Sequence, residues 1–340
     1  MYDLVSVIIT TYGGSKTLKR AINSILAQTY KNIEIIIVDD NDPNSLERKH
    51  TENIISNFDA CTIKYIKHSK NLNGAVARNT GINASNGKYI CFLDDDDFYL
   101  PNRVELSVKT LDENKLYDAV FCNVAIYKNK SITNVIYTGK HEFNQKKLLL
   151  DEMLIGTGSN IFMRKQAIVN LNGFDTKFIR HQDLEFLIRF SELYKAIGID
   201  EVLVVKGTNG TNNIPEYNKL MLVKQQYFDK FDKQIKKLEL LEQNEFYKYH
   251  YGILLLSAIE SKDIKNINYM VKKYRKYGKL NIKHKILIVL VKLKLYKSPI
   301  YNFIKFFILN IIKLKNQSQN NYINIEDKLT KYIDNVLRCE

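Results

Sequence analysis

The chain has 340 residues, 45% hydrophobic and 26% charged, a composition that excludes disordered and collagen-like classes. That length buries a full α/β core and leaves material for a second unit. The net charge of +14 is local: residues 261–315 hold 15 Lys and Arg against the single acid Asp263, whereas residues 1–260 carry 33 basic and 32 acidic side chains.

In chain order, Val5–Thr11 is a β-branched run that reads as a strand, broken by Gly13 and Gly14. Leu18, Ala21, Ile22, Ile25 and Leu26 then follow helical spacing, with Ser15 as the expected N-cap. Residues 33–38 form a second apolar strand, ended by Asp39-Asp40-Asn41-Asp42-Pro43. A helix over about 46–57, a strand over 61–67, a small-residue helix near Gly74–Ala84 and a strand over 88–93 complete the alternation. Strands separated by helices of this length predict a mostly parallel sheet with helices on both faces. Ligands of such sheets bind beyond the carboxyl ends of the strands. The clusters Thr10-Thr11-Tyr12, Asp39-Asp40 and Asp94-Asp95-Asp96-Asp97 should therefore line one edge.

From about 219 the texture is helical: Leu220, Tyr227, Phe231, Ile235 and Leu238 repeat at helical spacing, and further patterns run over 246–260 and 264–277. The boundary falls in the Gly, Asn and Thr-rich run 206–213, followed by Pro215. The predicted organisation is an α/β domain over 1–215 and a helical C-terminal region over 216–340, with a basic amphipathic segment over 261–315. Cys61, Cys91, Cys122 and Cys339 show no C-x-x-C spacing and read as free thiols in a reducing compartment. No basic n-region precedes the first strand, and no stretch reaches the ~18–20 apolar residues of a spanning helix, so the expected location is the cytoplasm.

The acidic run Asp94-Asp95-Asp96-Asp97 follows an apolar strand. Four adjacent carboxylates repel one another unless a cation compensates, and hard oxygen ligands suit Mg²⁺ or Mn²⁺; a solvated acidic turn is the plain alternative. Taken alone, Asp40 reads as an Asx-turn or helix cap, Asp183 as an N-cap, and Arg78 as a solvated helix residue. Gly156-Thr-Gly-Ser-Asn160 fits a close-approach loop or a plain turn, and His181 reads as a solvated histidine.

Together the segments say more. Val5-Ser-Val-Ile-Ile-Thr-Thr-Tyr12, Ala21-Ile-Asn-Ser-Ile-Leu-Ala-Gln-Thr-Tyr30 and Glu34-Ile-Ile-Ile-Val-Asp-Asp40 resemble the opening of family 2 glycosyltransferases of the GT-A fold. The likeness continues through Asn73-Gly-Ala-Val-Ala-Arg-Asn-Thr-Gly81, Gly87-Lys-Tyr-Ile-Cys-Phe-Leu-Asp-Asp-Asp-Asp97 and His181-Gln-Asp-Leu-Glu-Phe-Leu-Ile-Arg189. It implies an inverting transferase of the surface-polysaccharide type, using a UDP-sugar donor with Mn²⁺ or Mg²⁺ and a hydroxyl of a glycan or lipid-linked saccharide acceptor. On this resemblance Thr10 and Tyr12 border the nucleobase, Asp40 accepts from the uracil ring N–H, and Arg78 lies near the nucleotide. Asp94 and Asp95 serve the donor, Asp96 ligates the metal, and Asp183 is the general base. Gly156, Gly158 and Gln182 fall on the acceptor side. Two departures stand out. The frequent Val-Asp-Asp-Gly-Ser is Val38-Asp-Asp-Asn-Asp42 here, and the loop opening at Lys206 lacks the Arg or His often found there, leaving Lys206 as the available cation.

The tail carries two apolar, lysine-studded segments, 283–297 and 300–315, separated by Ser298-Pro299. They resemble an interfacial anchor holding the protein on the inner face of an anionic membrane, with a helical hairpin packed on the α/β domain or on a second subunit as the alternative. No readout motif supports nucleic acid. Two rival functions share parts of the pattern: a nucleotidyltransferase, and an inactive nucleotide-binding scaffold. A dinucleotide oxidoreductase is disfavoured because no G-x-G-x-x-G follows the first strand.

Overall fold

The structure, a computed structural model, describes residues 3–297 except 14–16, 60, 129–130, 151–153 and 208–215. The described residues fall into two compact units, one on each side of 208–215.

The first unit alternates β1 (Val5–Thr11), α1 (Leu18–Leu26), β2 (Ile33–Asp39), α2 (Leu46–Ile55), β3 (Ile63–Lys67), α3 (Gly74–Ala84) and β4 (Tyr89–Asp94). It continues with β5 (Phe98–Tyr99), α4 (Arg103–Glu113), β6 (Ala119–Lys128), β7 (Ser131–Ile136), α5 (Gln145–Leu150), β8 (Phe162–Arg164), α6 (Lys165–Asn170), α7 (Gln182–Leu193) and β9 (Ala196–Gly207). The strands make one sheet in the order β3-β2-β1-β4-β8-β6-β9-β5, with β7 beside β6. Its first four strands are parallel, as the alternation predicts, and β6 pairs parallel with β9. Strand β8 enters antiparallel between β4 and β6.

The register sets the active edge. Thr11 stands opposite Asp39, and Thr10 opposite Asp94, so β1, β2 and β4 finish at one level. Their interiors, such as Val7, Ile9, Ile37, Cys91 and Leu93, are buried among one another, which leaves only the strand ends for polar chemistry. Helix α3 lies close on β1 because Gly81 has no side chain: a Cβ there would meet Ile8 Cγ2 at 2.4 Å. Helix α1 begins at Leu18 after Thr17, whose hydroxyl donates to the Asp95 carbonyl at 2.9 Å; the predicted cap Ser15 lies outside the described residues. Cys91 and Cys122 are buried free thiols and Cys61 an exposed one, while Cys339 lies outside the described residues.

The second unit is helical: α8 (Tyr217–Lys230), α9 (Asp232–Lys236), α10 (Leu240–Ser261), α11 (Ile264–Arg275) and α12 (Ile282–Lys292). Leu254, Leu255 and Ala258 of α10 pack with Ile267 and Met270 of α11 and with Leu287 and Val291 of α12. The basic tail therefore has an inner side. One apolar face of 283–297 is part of a globular core. The second segment, 300–315, lies outside the described residues. Among the described residues no helix is long and apolar enough to cross a membrane.

Candidate active site

The four aspartates after β4 have separate surroundings. Asp94 pairs with Arg78 Nη2 at 2.7 Å. Asp95 accepts the Thr11 hydroxyl at 2.5 Å. Asp97 is buried, accepting Thr157 at 2.8 Å and Ser159 at 2.6 Å on Oδ2 and the Gly207 N–H at 3.0 Å on Oδ1. Asp97 thereby fastens the end of β4 to the 157–159 loop and to the end of β9. Among the described residues the Asp96 carboxyl alone of the four has no hydrogen bond or ion pair to another side chain.

Packing these carboxyls together under a roof of protein raises their affinity for protons. Burial pushes Asp95 up to about 7, against its Thr11 hydrogen bond and with Asp96 and Asp94 adding to the rise. Burial and then Asp94 lift Asp96 to about 6, while Lys206 and Arg20 pull it down. Burial, Asp96 and Asp94 hold Asp97 at about 8. Proton affinities this high mark carboxylates whose charge the chain's own cations do not fully offset. That fits a divalent ion at Asp96. No three His, Cys, Asp or Glu side chains converge as a protein-only cage among the described residues. An ion shared between one or two carboxylates and a substrate diphosphate needs none.

Arg78 ties this acidic edge to helix α7. Its Nη1 donates to Gln182 Oε1 at 2.9 Å while Nη2 holds Asp94, and the guanidinium stacks 5.6 Å from the Phe174 ring centroid. Next to Gln182 stands Asp183, half-buried, with Oδ1 accepting the Leu184 N–H at 2.9 Å. The N-cap of α7 is His181, in the left-handed region at φ 59° and half-buried, so Asp183 is not the cap. Gly158 lies between the two groups: a Cβ there would sit 3.6 Å from Arg78 Nη2 and 3.8 Å from Asp183 Oδ2. A methyl there would touch both groups in ordinary contact, so Gly158 marks where the Arg78 and Asp183 sides of the site face each other.

The other predicted site residues have partners of their own. Asp40 is buried, and its carboxylate is fully occupied: Oδ1 binds His68 Nδ1 at 2.7 Å and the Leu72 N–H at 2.8 Å, and Oδ2 accepts Asn71 Nδ2 and the Asn73 N–H, both at 3.0 Å. Gln182 spends its amide on Arg78 and on the Phe178 carbonyl at 2.9 Å, which ties the start of α7 to the acidic edge. Gly156 turns the chain at φ +76° against Val124, and its carbonyl takes Lys206 Nζ at 3.0 Å. Thr10 is half-buried and Tyr12 projects into solvent at 63% exposure, an open flank beside the strand ends.

Sequence reasoning missed Arg20, buried on α1, which donates to the Asp96 carbonyl at 2.6 Å and stacks 4.8 Å from the Phe98 ring centroid. The signal was a lone Arg beside Leu18, Ala21 and Ile22, in a helix whose other charged residue is Lys19. It also missed Ser159, which receives the Asp94 N–H at 2.9 Å and so locks the 157–159 loop to the acidic run from a second side.

With this geometry established, comparison with known proteins gives four matches. Residues 6–171 match the family model described as glycosyl transferase family 2. An uncharacterized glycosyltransferase of Methanocaldococcus jannaschii is 38% identical over 207 residues, covering 59% of this chain and 69% of that protein. The UDP-Glc:alpha-D-GlcNAc-diphosphoundecaprenol beta-1,3-glucosyltransferase WfgD of Escherichia coli is 29% identical over 180 residues, 53% of this chain and 66% of that one. In fold, the chain resembles the mannosyltransferase PcManGT from Pyrobaculum calidifontis, solved with GDP-Man and Mn²⁺, at a TM-score of 0.56 and 16% identity over 88% of each chain.

Proposed function

The chain belongs to glycosyl transferase family 2 and has the GT-A fold, and on that premise we propose that it is a metal-dependent inverting transferase moving a sugar from a UDP-sugar to a hydroxyl of a glycan or lipid-linked saccharide. The α/β unit, up to about residue 215, carries the chemistry, and the product belongs to a surface polysaccharide assembled at the inner face of the membrane. What carries the reading is the Asp94–Arg78–Gln182 chain, which holds the donor-side acids and Asp183 in one site around Gly158.

The roles follow from the partners. Thr10 and Tyr12 flank the nucleoside. Asp40 is its acceptor for the ring N–H, with the exposed Asn71 amide as the donor a base would replace. Asp95, anchored by Thr11, faces the ribose, and Asp96 holds the ion. Mn²⁺ or Mg²⁺, when bound, neutralises charge developing on the leaving diphosphate. Lys206 stands where its ammonium adds to the same effect. Asp183 takes the proton of the acceptor hydroxyl. The oxygen then bonds to the anomeric carbon on the face opposite the departing UDP oxygen, which leaves with the bonding pair.

Asp183→Asn keeps the shape of the side chain and removes its basicity. A positioned general base contributes roughly 10²–10⁴ in rate, so kcat should fall by that order while UDP affinity, measured by calorimetry, stays put. Near wild-type turnover in this variant would end the assignment. Release of UDP with the glycoside distinguishes the reaction from nucleotidyl transfer, which releases pyrophosphate.

A further inference from the structure

Helices α11 and α12 enclose a groove of about 640 Å³ within the second unit. Its rim carries Lys272 and Arg275 from one helix and Lys285 and Lys292 from the other, over a floor that includes Val271 and Ile288. All four cations are exposed, and none has an ion-pair or hydrogen-bond partner among the described residues. Residues 261–297 contain a single acid, Asp263, and its carboxylate is spent capping α11 through the Lys265 and Asn266 N–H groups. The groove therefore lacks any anion of its own.

Beside it, α12 shows a second apolar face. Leu287 and Val291 point into the core, yet Ile282, Ile286, Val289 and Leu293 recur at i, i+4, i+7 and i+11 on the outside, between 38% and 76% exposed. Such a stripe, bordered by lysines, is the pattern of a helix lying in a lipid interface. We infer that the α11–α12 groove and the outer stripe of α12 dock on an anionic phospholipid surface, with headgroup phosphates between the four cations and the stripe at the edge of the acyl region. Charge chooses this occupant. A second copy of the same face would bring like charges together, and a nucleic acid would leave the stripe in water. The inference rests on the proposed lipid-linked acceptor for its purpose, not for its geometry.

The test uses full-length protein and vesicles of phosphatidylglycerol with phosphatidylcholine, against phosphatidylcholine alone. Binding should need the anionic lipid and weaken with salt as the Debye length shrinks from about 10 Å at 0.1 M to about 3 Å at 1 M. Lys285→Glu with Lys292→Glu, both at the surface, should weaken it roughly tenfold or more. The chain has no tryptophan, so Val289→Trp supplies a single reporter whose emission should shift blue on anionic vesicles. Transfer to a short soluble acceptor should be unchanged in all these variants, which separates this surface from the catalytic reading. The inference is overturned by an unshifted tryptophan emission in the Val289→Trp protein, by equal binding of the charge-reversed protein, or by a dimer that Ile286→Ser dissolves in a protein indifferent to vesicles.

Discussion

Asp94, Asp95, Asp96 and Asp97 are identical in type and adjacent in sequence, and the fold gives each a different task by giving each different partners. Asp97 is satisfied on both oxygens and belongs to the framework; Asp94 and Asp95 are oriented by Arg78 and Thr11; Asp96 is left with its charge. That division follows from the side chains of Thr11, Arg78 and Thr157 and the N–H of Gly207, and no local pattern in the run foretells it. The run by itself reads as a cation site, and only the family resemblance, not the run, allots separate tasks to its members. Asp40 makes the same point. A carboxylate at a strand end is visible in the sequence, but its saturation by His68 and the 71–73 turn depends on a loop some thirty residues away. Asp96→Ala should abolish the metal dependence of UDP binding. We expect the wild type to bind UDP about tenfold or more tightly with Mn²⁺, some 1.4 kcal/mol, because acid and diphosphate otherwise repel. Calorimetric titrations with Mn²⁺ and with chelator should converge for the variant, and equal values for the wild type would remove the metal from the site.

At the scale of elements, the long β-branched strands announce themselves, since β1, β2 and β4 are buried on both faces and read as continuous apolar runs. Strand β5 has two residues and β8 three, too few for any period, so these two antiparallel strands leave no pattern in the sequence. Segment 283–297 hides a division of another kind: its mixture of aliphatic residues and lysines does not say in advance which face the fold buries and which it leaves out. Helix α3 offers a direct check on packing. Gly81→Ala drives a methyl into Ile8, and overpacking of this kind costs about 1–3 kcal/mol. Urea unfolding should show a lower midpoint with an unchanged m value, and Ile8→Ala should cost less in that background than in the wild type. A neutral Gly81→Ala would mean that α3 is free to move off β1.

Across the whole molecule the charge is segregated, and so is the response to protons. In chelated, metal-free protein, Asp95 and Asp97 titrate near 7 and 8 when folded, against roughly 3.9 when unfolded. The folded state holds the extra protons, so this contribution is present below about 4 and lost as pH rises through 8. His284 goes the other way. Burial lowers it to about 4, so its contribution is present above roughly 6.5 and lost as pH falls toward 4. Solvent screening at this site reduces the loss to on the order of 1 kcal/mol by pH 5. Hydrogen exchange between pH 8 and pH 5, corrected for intrinsic rates, should therefore show β1–β4 amides gaining protection while α10–α12 amides lose it, and His284→Leu should flatten the second trend. A common direction in both units would refute the pairing. The sheet order also sets a timetable for synthesis. Strands β1 to β4 pair across short intervals and can assemble once residue 94 has left the ribosome. Yet Tyr89 of β4 waits for Arg164, Ala119 for Ala196 and Phe98 for Val205. A growing chain at that stage holds its acidic strand ends beside the bare edge of β4, which makes this interval the one in which a holding chaperone would be most useful.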